Sequence, residues 1–419
     1  MTVHMLLGFV MLMLLAMPVG YSLVISGWAA LSVFGSMPSS MAVLKIFQPT
    51  QSFPLLAIPF FILSGSLMMS GKLGQKLVGM ASMLVGKYPG GLGQVSVVGS
   101  TVFGGVSGSS VAEASALGSM LIPWQKREGY PGAFGAAVTA SSSVIAGLMP
   151  PSIALILFAT VSNTSIASLF IAGVVPALML AGGMMLACYI TGRRRGFPII
   201  ELSYTRREVV QTVLNALPAL LMPVFILVLL RAGIATPTEV SIIAVAYALV
   251  VSGVFYRDLN GTRIMAALTN TVITTGVVML IIAAANIIGY ILTSGGVPQA
   301  VAQWAVEHLK DPLLIILAIN LLLLFIGMFL DLPAAILLLG PTLVSIANAI
   351  GLDLVQLGIM MCVNLSIGLF TPPIGTTLFV AAAIAREPIG RVVKELVPFY
   401  LVALLVLLLV SFVPALIIY

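Results

Sequence analysis

Charge is the scarcest thing in this sequence. Only 7% of its 419 residues are Asp, Glu, Lys or Arg, while 60% are hydrophobic. A soluble domain carries about 25% charged residues, so a water-soluble globular chain is excluded. Histidine occurs only as His4 and His308, and cysteine only as Cys188 and Cys362. That supply has no metal-ligand spacing and no disulfide framework, and both cysteines sit in apolar runs as small buried hydrophobes. No phosphate-binding P-loop and no nucleophile–histidine arrangement is present, so any energy input must come from an ion gradient or another chain. The apolar run at residues 5–34, bent near Pro18, has no basic segment before it, so it reads as mature membrane helix rather than a cleaved signal.

Long apolar runs are what the chain does have, with a mean hydropathy of +1.20. They are continuous, whereas a membrane barrel would show short alternating segments. The fold class expected is an all-α polytopic membrane protein. Its 24 prolines and 40 glycines point to broken and closely packed helices rather than plain spans. The net charge of +6 comes from basic residues in short loops, which suits a membrane orientation signal better than nucleic-acid binding.

Two polar interruptions stand inside apolar sequence: Phe103-Gly-Gly-Val-Ser-Gly-Ser-Ser-Val-Ala-Glu113 and Phe325-Ile-Gly-Met-Phe-Leu-Asp-Leu-Pro333. Hydrocarbon penalises free backbone groups and charges, so each marks a polar cavity, a ligand site or a protein-buried turn. Around the first, the apolar arms run to some twelve to fourteen residues, short of the 20 or so a spanning helix needs. They read as re-entrant hairpins over 94–123 and 312–349. Two further segments, 129–160 and 354–385, are helices broken at Gly147-Leu-Met-Pro-Pro-Ser152 and Gly368-Leu-Phe-Thr-Pro-Pro373. A polar connection at 45–50 follows the first helix.

The chain repeats itself. Gly65, Ser70, Gly71 and Gln75 match Gly289, Ser294, Gly295 and Gln299 at an offset of 224. Phe103, Gly105, Gly118, Pro150, Pro151 and Pro176 match Phe325, Gly327, Gly340, Pro372, Pro373 and Pro398 at 222. The division expected is an N-terminal scaffold helix (1–51), repeat 1 (52–192), a cytoplasmic linker (193–208), scaffold helices (209–261) and repeat 2 (262–419). With both hairpins re-entrant, five crossings separate matching elements, and an odd number inverts the second repeat. Of the 18 Lys and Arg residues, all but Lys45, Arg231 and Lys310 then fall on one side, leaving fifteen there. That side is expected to be cytoplasmic.

Inverted repeats with discontinuous helices are the plan of secondary transporters, with the site at the repeat interface. Half-helix N-termini offer N–H groups to an anion, and freed carbonyls suit Na+. One Na+ site is expected from Ser107, Gly108 and Ser109 with Gly147, Pro150 and Ser152. A second is expected from Gly327 and Asp331 with Gly368, Thr371, Pro372 and Thr376. The substrate would sit between the tips, near Ser109, Ser110, Pro151, Leu332, Pro333, Pro373 and Thr377. The bland alternatives are close helix packing for the Ser/Gly tip and simple kinks for the prolines. Glu113 and Asp331, the only acids deep in apolar sequence, could be ion ligands or helix caps. Asn364 with Ser366 is a weaker candidate, and Asn286 reads as interhelical glue.

At these motifs, together with Leu56-Ala-Ile-Pro-Phe-Phe-Ile-Leu63 and Pro89-Gly-Gly91, nearly the whole chain resembles the large membrane subunit of TRAP (tripartite ATP-independent periplasmic) transporters. The resemblance implies an elevator-type Na+-coupled importer of a small organic anion in the bacterial inner membrane, with a fold of the ion-transporter superfamily. It also implies two protein partners, a small four-helix membrane subunit and a periplasmic substrate-binding protein. The family often has an acid at Ser66, Asp at Glu113 and Asn at Thr376 or Thr377, where this chain departs from it. Competing readings are an autonomous single-chain cation-coupled anion symporter, a channel, and an intramembrane enzyme, the last disfavoured by the shortage of catalytic side chains.

Overall fold

The computed structural model describes residues 1–15, 17–34, 39–69, 73–199 and 205–419. Ser70, Gly71 and Lys72 of the repeat and charge arguments, and residues 200–204 of the linker, lie outside the described residues. Among the described residues the chain is helical, with no strand.

The same series of elements occurs twice. Ala57–Met69 and Leu73–Val85 lead into a hairpin of Gly91–Ser107 and Ser110–Arg127. The broken helix Gly132–Ser142 and Ile153–Ser162 follows, and then the long helix Ile166–Arg195. In the second series the order is Gly261–Ser294, Val297–Leu309, a hairpin of Pro312–Gly327 and Leu332–Ile350, a broken helix of Leu354–Leu369 and Thr376–Ala385, and Ile389–Phe412. Between them lie Arg206–Arg231 and Pro237–Val250, each opened by a capping box, Thr205 with Glu208 and Thr236 with Glu239.

Burial separates the elements by role. Every residue of Gly132–Ser142 is buried, as is all of Leu354–Leu369 after its first residue. By contrast, Arg206–Arg231 buries one stripe and leaves Val210, Leu214, Leu221, Val224 and Val228 on its outside. An apolar outer surface on a helix of this length suits lipid. Six helices among the described residues are long and apolar enough to cross a membrane. The broken helices form the centre of the bundle and the unbroken ones its wall.

Several boundaries differ from the sequence reading. Residues 5–34 form two helices, Thr2–Leu14 and Val19–Phe34, with Pro18 between them. The supposed polar connection at 45–50 is the end of a helix, Ser39–Phe47, and a 3-10 turn, Gln48–Gln51. The arms of the first hairpin are 17 and 18 residues, and the second runs past Pro123 to Arg127. Its end is pinned by Gln125, whose amide donates to Leu92 O at 3.0 Å and Ser96 Oγ at 2.8 Å on the facing arm. In the second hairpin the returning arm, Leu332–Ile350, has 19 residues and is itself long and apolar enough to span.

Candidate site at the meeting of hairpin tips and helix breaks

The first tip turns at Gly108, whose φ of +61° lies in the left-handed region. A Cβ there would also stand 2.3 Å from Pro151 O, so the turn and its seat on the first break both require glycine. Ser109 is extended and occupies the N-cap position of the returning arm without a side-chain cap bond. Ser107 Oγ accepts from Ser109 N at 3.5 Å, and the hairpin makes no such use of the Ser109 and Ser110 hydroxyls.

The first break runs through Leu148–Pro151 and restarts at Ser152. The Ser152 hydroxyl donates to Gly147 O at 2.6 Å and accepts from Leu155 N at 3.3 Å. It bridges the gap from within, so its side chain is committed to bracing the break.

The second break is held from outside. Thr377 Oγ1 has two carbonyls in reach, Ala140 O of the first broken helix at 3.1 Å and Leu369 O at 2.9 Å. Tyr400 donates its hydroxyl to Phe370 O at 2.8 Å. Thr371 donates back to Ile367 O at 2.6 Å, within its own turn. Of the three threonines singled out from sequence, only Thr376 keeps a buried hydroxyl without a partner. The second tip lies on this break: Ile374 N donates to Met328 O at 3.3 Å. A Cβ on Gly368 would come 2.2 Å from Gly327 O, so these two backbones touch directly.

Four motifs meet at Gly147. A Cβ built there would lie 3.1 Å from Ser366 Oγ, 3.6 Å from Ser110 Oγ and 3.8 Å from Leu332 Cδ1. One position thus touches the first break, the first tip, the second tip and the second broken helix. Ser366 Oγ is buried with no partner. Two residues earlier, Asn364 donates to Asn320 O at 3.0 Å and Asn320 Oδ1 at 2.9 Å. Asn320, in turn, donates to Ser411 Oγ at 2.9 Å. Sequence reasoning overlooked Asn320. An amide inside Pro312–Gly327, otherwise apolar, was the available signal.

Glu113 is fully buried; the Ser100 side chain lies beside its carboxylate, but neither oxygen forms a full hydrogen bond. Asp331 holds the N-cap position of Leu332–Ile350, where its carboxylate lies against the Leu332 N–H without a standard cap bond deeper in the first turn. Asn286 donates across to Lys45 O at 2.6 Å, joining two N-terminal and central elements.

Ser107 and Ser109 line a cavity of about 600 Å³ that continues along the returning arm past Ser115 and Ser119. Its far wall carries Gly65 and Ser66 with Asn270, which donates to Ser66 Oγ at 2.9 Å. Asp331, Leu332, Pro333 and Thr376 do not line it. The cavity therefore reaches the first tip only.

Broken helices buried at the centre of an apolar bundle, with polar tips and a cavity leading to them, define a multi-pass membrane transport protein. The chain belongs to the family described as the tripartite ATP-independent periplasmic transporter, DctM component, whose family model it matches over residues 6–416. It is a transporter component and not an enzyme. The protein y4mL of Sinorhizobium fredii is 48% identical over 419 residues, which is 100% of both chains. The C4-dicarboxylate TRAP transporter large permease protein DctM of Pseudomonas aeruginosa is 36% identical, covering 94% of this chain and 92% of its own. The sialic acid TRAP transporter large permease protein SiaM of Vibrio cholerae is also 36% identical, covering 97% and 95%. Among solved structures, the YdaH transporter of Alcanivorax borkumensis superposes with a TM-score of 0.61 over 91% of this chain and 89% of its own. At 16% identity that likeness speaks for the fold alone.

Proposed function

We propose that this chain is the large permease of a Na+-coupled system that imports a small organic anion across the bacterial inner membrane by an elevator-type movement. The observation that carries the reading is the meeting of both tips and both broken helices around Gly147. A site built at a repeat interface from discontinuous helices suits alternating access. The named substrates of similar permeases, C4-dicarboxylates, sialic acid and 2,3-diketo-L-gulonate, all carry a carboxylate group, which supports an anionic substrate here. The family's tripartite description supports two protein partners, a small membrane subunit and a periplasmic binding protein.

The oxygen-only donor set fits a hard cation. At the first tip, Ser107 and Ser109 with the backbone of Gly147 and Pro150 would hold Na+; the Ser152 hydroxyl braces that backbone rather than adding a ligand. At the second, Gly327 and Asp331 with Gly368, Pro372 and Thr376 would do so, and the buried unpartnered Thr376 hydroxyl is the strongest sign of it. Bound Na+ supplies positive charge that offsets the substrate's carboxylate. The chain's own contribution is to orient backbone carbonyls and to keep Ser110, Ser366 and Leu332 against the same point. Thr377, its one hydroxyl proton shared between two carbonyls, aligns the second break instead of touching substrate. The basic loops face the cytoplasm in this reading, so the cavity at Ser107 and Ser109 opens inward.

Uptake into proteoliposomes containing this chain and its two partners tests the proposal. Uptake of a carboxylate should require an inward Na+ gradient, and equal uptake without it would remove the coupling.

A further inference from the structure

A second cavity, of about 450 Å³, lies on the other hairpin's side of the molecule. Its position follows from the repeat. The first cavity is lined by Ile62, Gly65, Ser66 and Met69. Residues 224 further on, Asn286, Gly289, Tyr290 and Thr293, line the second. On the hairpins, Ser115 and Ser119 line the first, and their equivalents at an offset of 222, Leu337 and Pro341, line the second. The two cavities are therefore repeat-related counterparts. They differ in reach. Ser107 and Ser109 open onto the first, whereas their equivalents Phe329 and Asp331 do not line the second.

They differ also in charge. Among the described residues the first cavity has no charged residue on its wall, while the second contains Lys45 and no acid. The lysine is held in place: its carbonyl accepts from Asn286 at 2.6 Å, its ammonium donates to Gln48 Oε1 at 3.0 Å and lies 4.9 Å from the Tyr290 ring centre. Among the described residues no carboxylate forms an ion pair with it. A single cation fixed by an amide and an aromatic face, in a cavity of ligand size, is a receptor for an anion.

We propose that the Lys45 cavity is the outer vestibule of the transporter, an anion-binding site for a carboxylate-bearing solute that is shut off from the hairpin tips in the state seen here. It rests on the transporter reading and on the inverted orientation of the repeats. In the opposite state, the repeat relation extends this cavity to Asp331 at the second tip. Lys45 then supplies, from outside both hairpins, the fixed positive charge that the tips themselves lack.

The test is charge-selective labelling of Thr293→Cys in the full-length chain, since the native Cys188 and Cys362 are buried. The probes are two membrane-impermeant thiol reagents, the anionic sulfonatoethyl and the cationic trimethylammonioethyl methanethiosulfonates, applied to spheroplasts and to inside-out vesicles. With Lys45 present the anionic reagent should be favoured from the outer face. Lys45→Gln should lower the anionic-to-cationic rate ratio by about tenfold, and Lys45→Arg should keep it. An unchanged ratio in Lys45→Gln, or labelling confined to inside-out vesicles, would overturn the vestibule. The labelling needs no partner and no transport. Its failure is thus separable from that of the functional reading, which falls if Na+-driven uptake is absent while the ratio still responds to Lys45.

Discussion

The two broken helices carry the same proline pair at equivalent positions but are held in opposite ways. In the first, Ser152 ties the gap to Gly147 with one hydroxyl from within the break itself. In the second, the brace comes from elsewhere: Thr377 reaches Ala140 of the first repeat, and Tyr400 reaches in from the last helix. The repeat has kept the backbone interruption and let the bracing diverge. The side-chain brace of the first break is local, whereas that of the second comes from the packing of the two repeats on each other.

The sharpest way to break this comparison is at the glycines. Gly368→Ala places a Cβ 2.2 Å from Gly327 O, with only backbone around it. It should abolish uptake and cost more than about 3 kcal/mol, visible as loss of a monodisperse peak on size exclusion. Gly147→Ala meets only side chains, the nearest at 3.1 Å, so it should stay folded and lose roughly tenfold in uptake. Equal behaviour of the two would mean that the breaks are not held differently.

The braces come next. Thr377→Val removes the one hydroxyl proton shared by Ala140 O and Leu369 O; Ala140 O keeps the Ser143 hydroxyl, Leu369 O loses its side-chain donor, and the change should cost about 2 kcal/mol in thermal or denaturant unfolding. Ser152→Ala should cost about 1 kcal/mol, because its loss is confined to one turn. A larger loss for Ser152→Ala would mean that the local brace, not the distant one, carries more of the stability.

Smaller effects are expected nearer the first tip. Glu113→Gln removes a buried carboxylate that has only the Ser100 side chain beside it and no full hydrogen bond, so melting should stay within about 1 kcal/mol of the parent or rise. A fall of several kcal/mol would show that the carboxylate holds a cation. Ser66→Ala deletes one exposed bond to Asn270 and should change stability by less than about 0.5 kcal/mol, with uptake within twofold.

Much of this was readable beforehand because the penalties are local. Gly, Ser, Pro and Glu inside an apolar run are anomalous wherever the run folds, so both tips and both breaks could be named from sequence. Helix ends were less legible. Pro123 looked like a stop, yet the arm continues because Gln125 is anchored on the facing helix, a contact that proline statistics do not contain. Residues 45–50 looked like a polar link, but Lys45 is a helical residue lining a cavity. Asn320 was hidden because its partners, Asn364 and Ser411, lie 44 and 91 residues away.

By itself, the sequence determined that the chain is a helical membrane protein, that it repeats, and where its helices must break. These follow from the cost of placing charge and unpaired backbone in hydrocarbon, a cost each residue brings with it. Only the tertiary structure decided which hydroxyls are spent and which remain. Thr371, Thr376 and Thr377 look alike in sequence, yet one bonds its own turn, one is left free and one braces a carbonyl 237 residues away. A hydroxyl has one proton to give, and its destination depends on which distant carbonyl the packing brings within 3 Å or so.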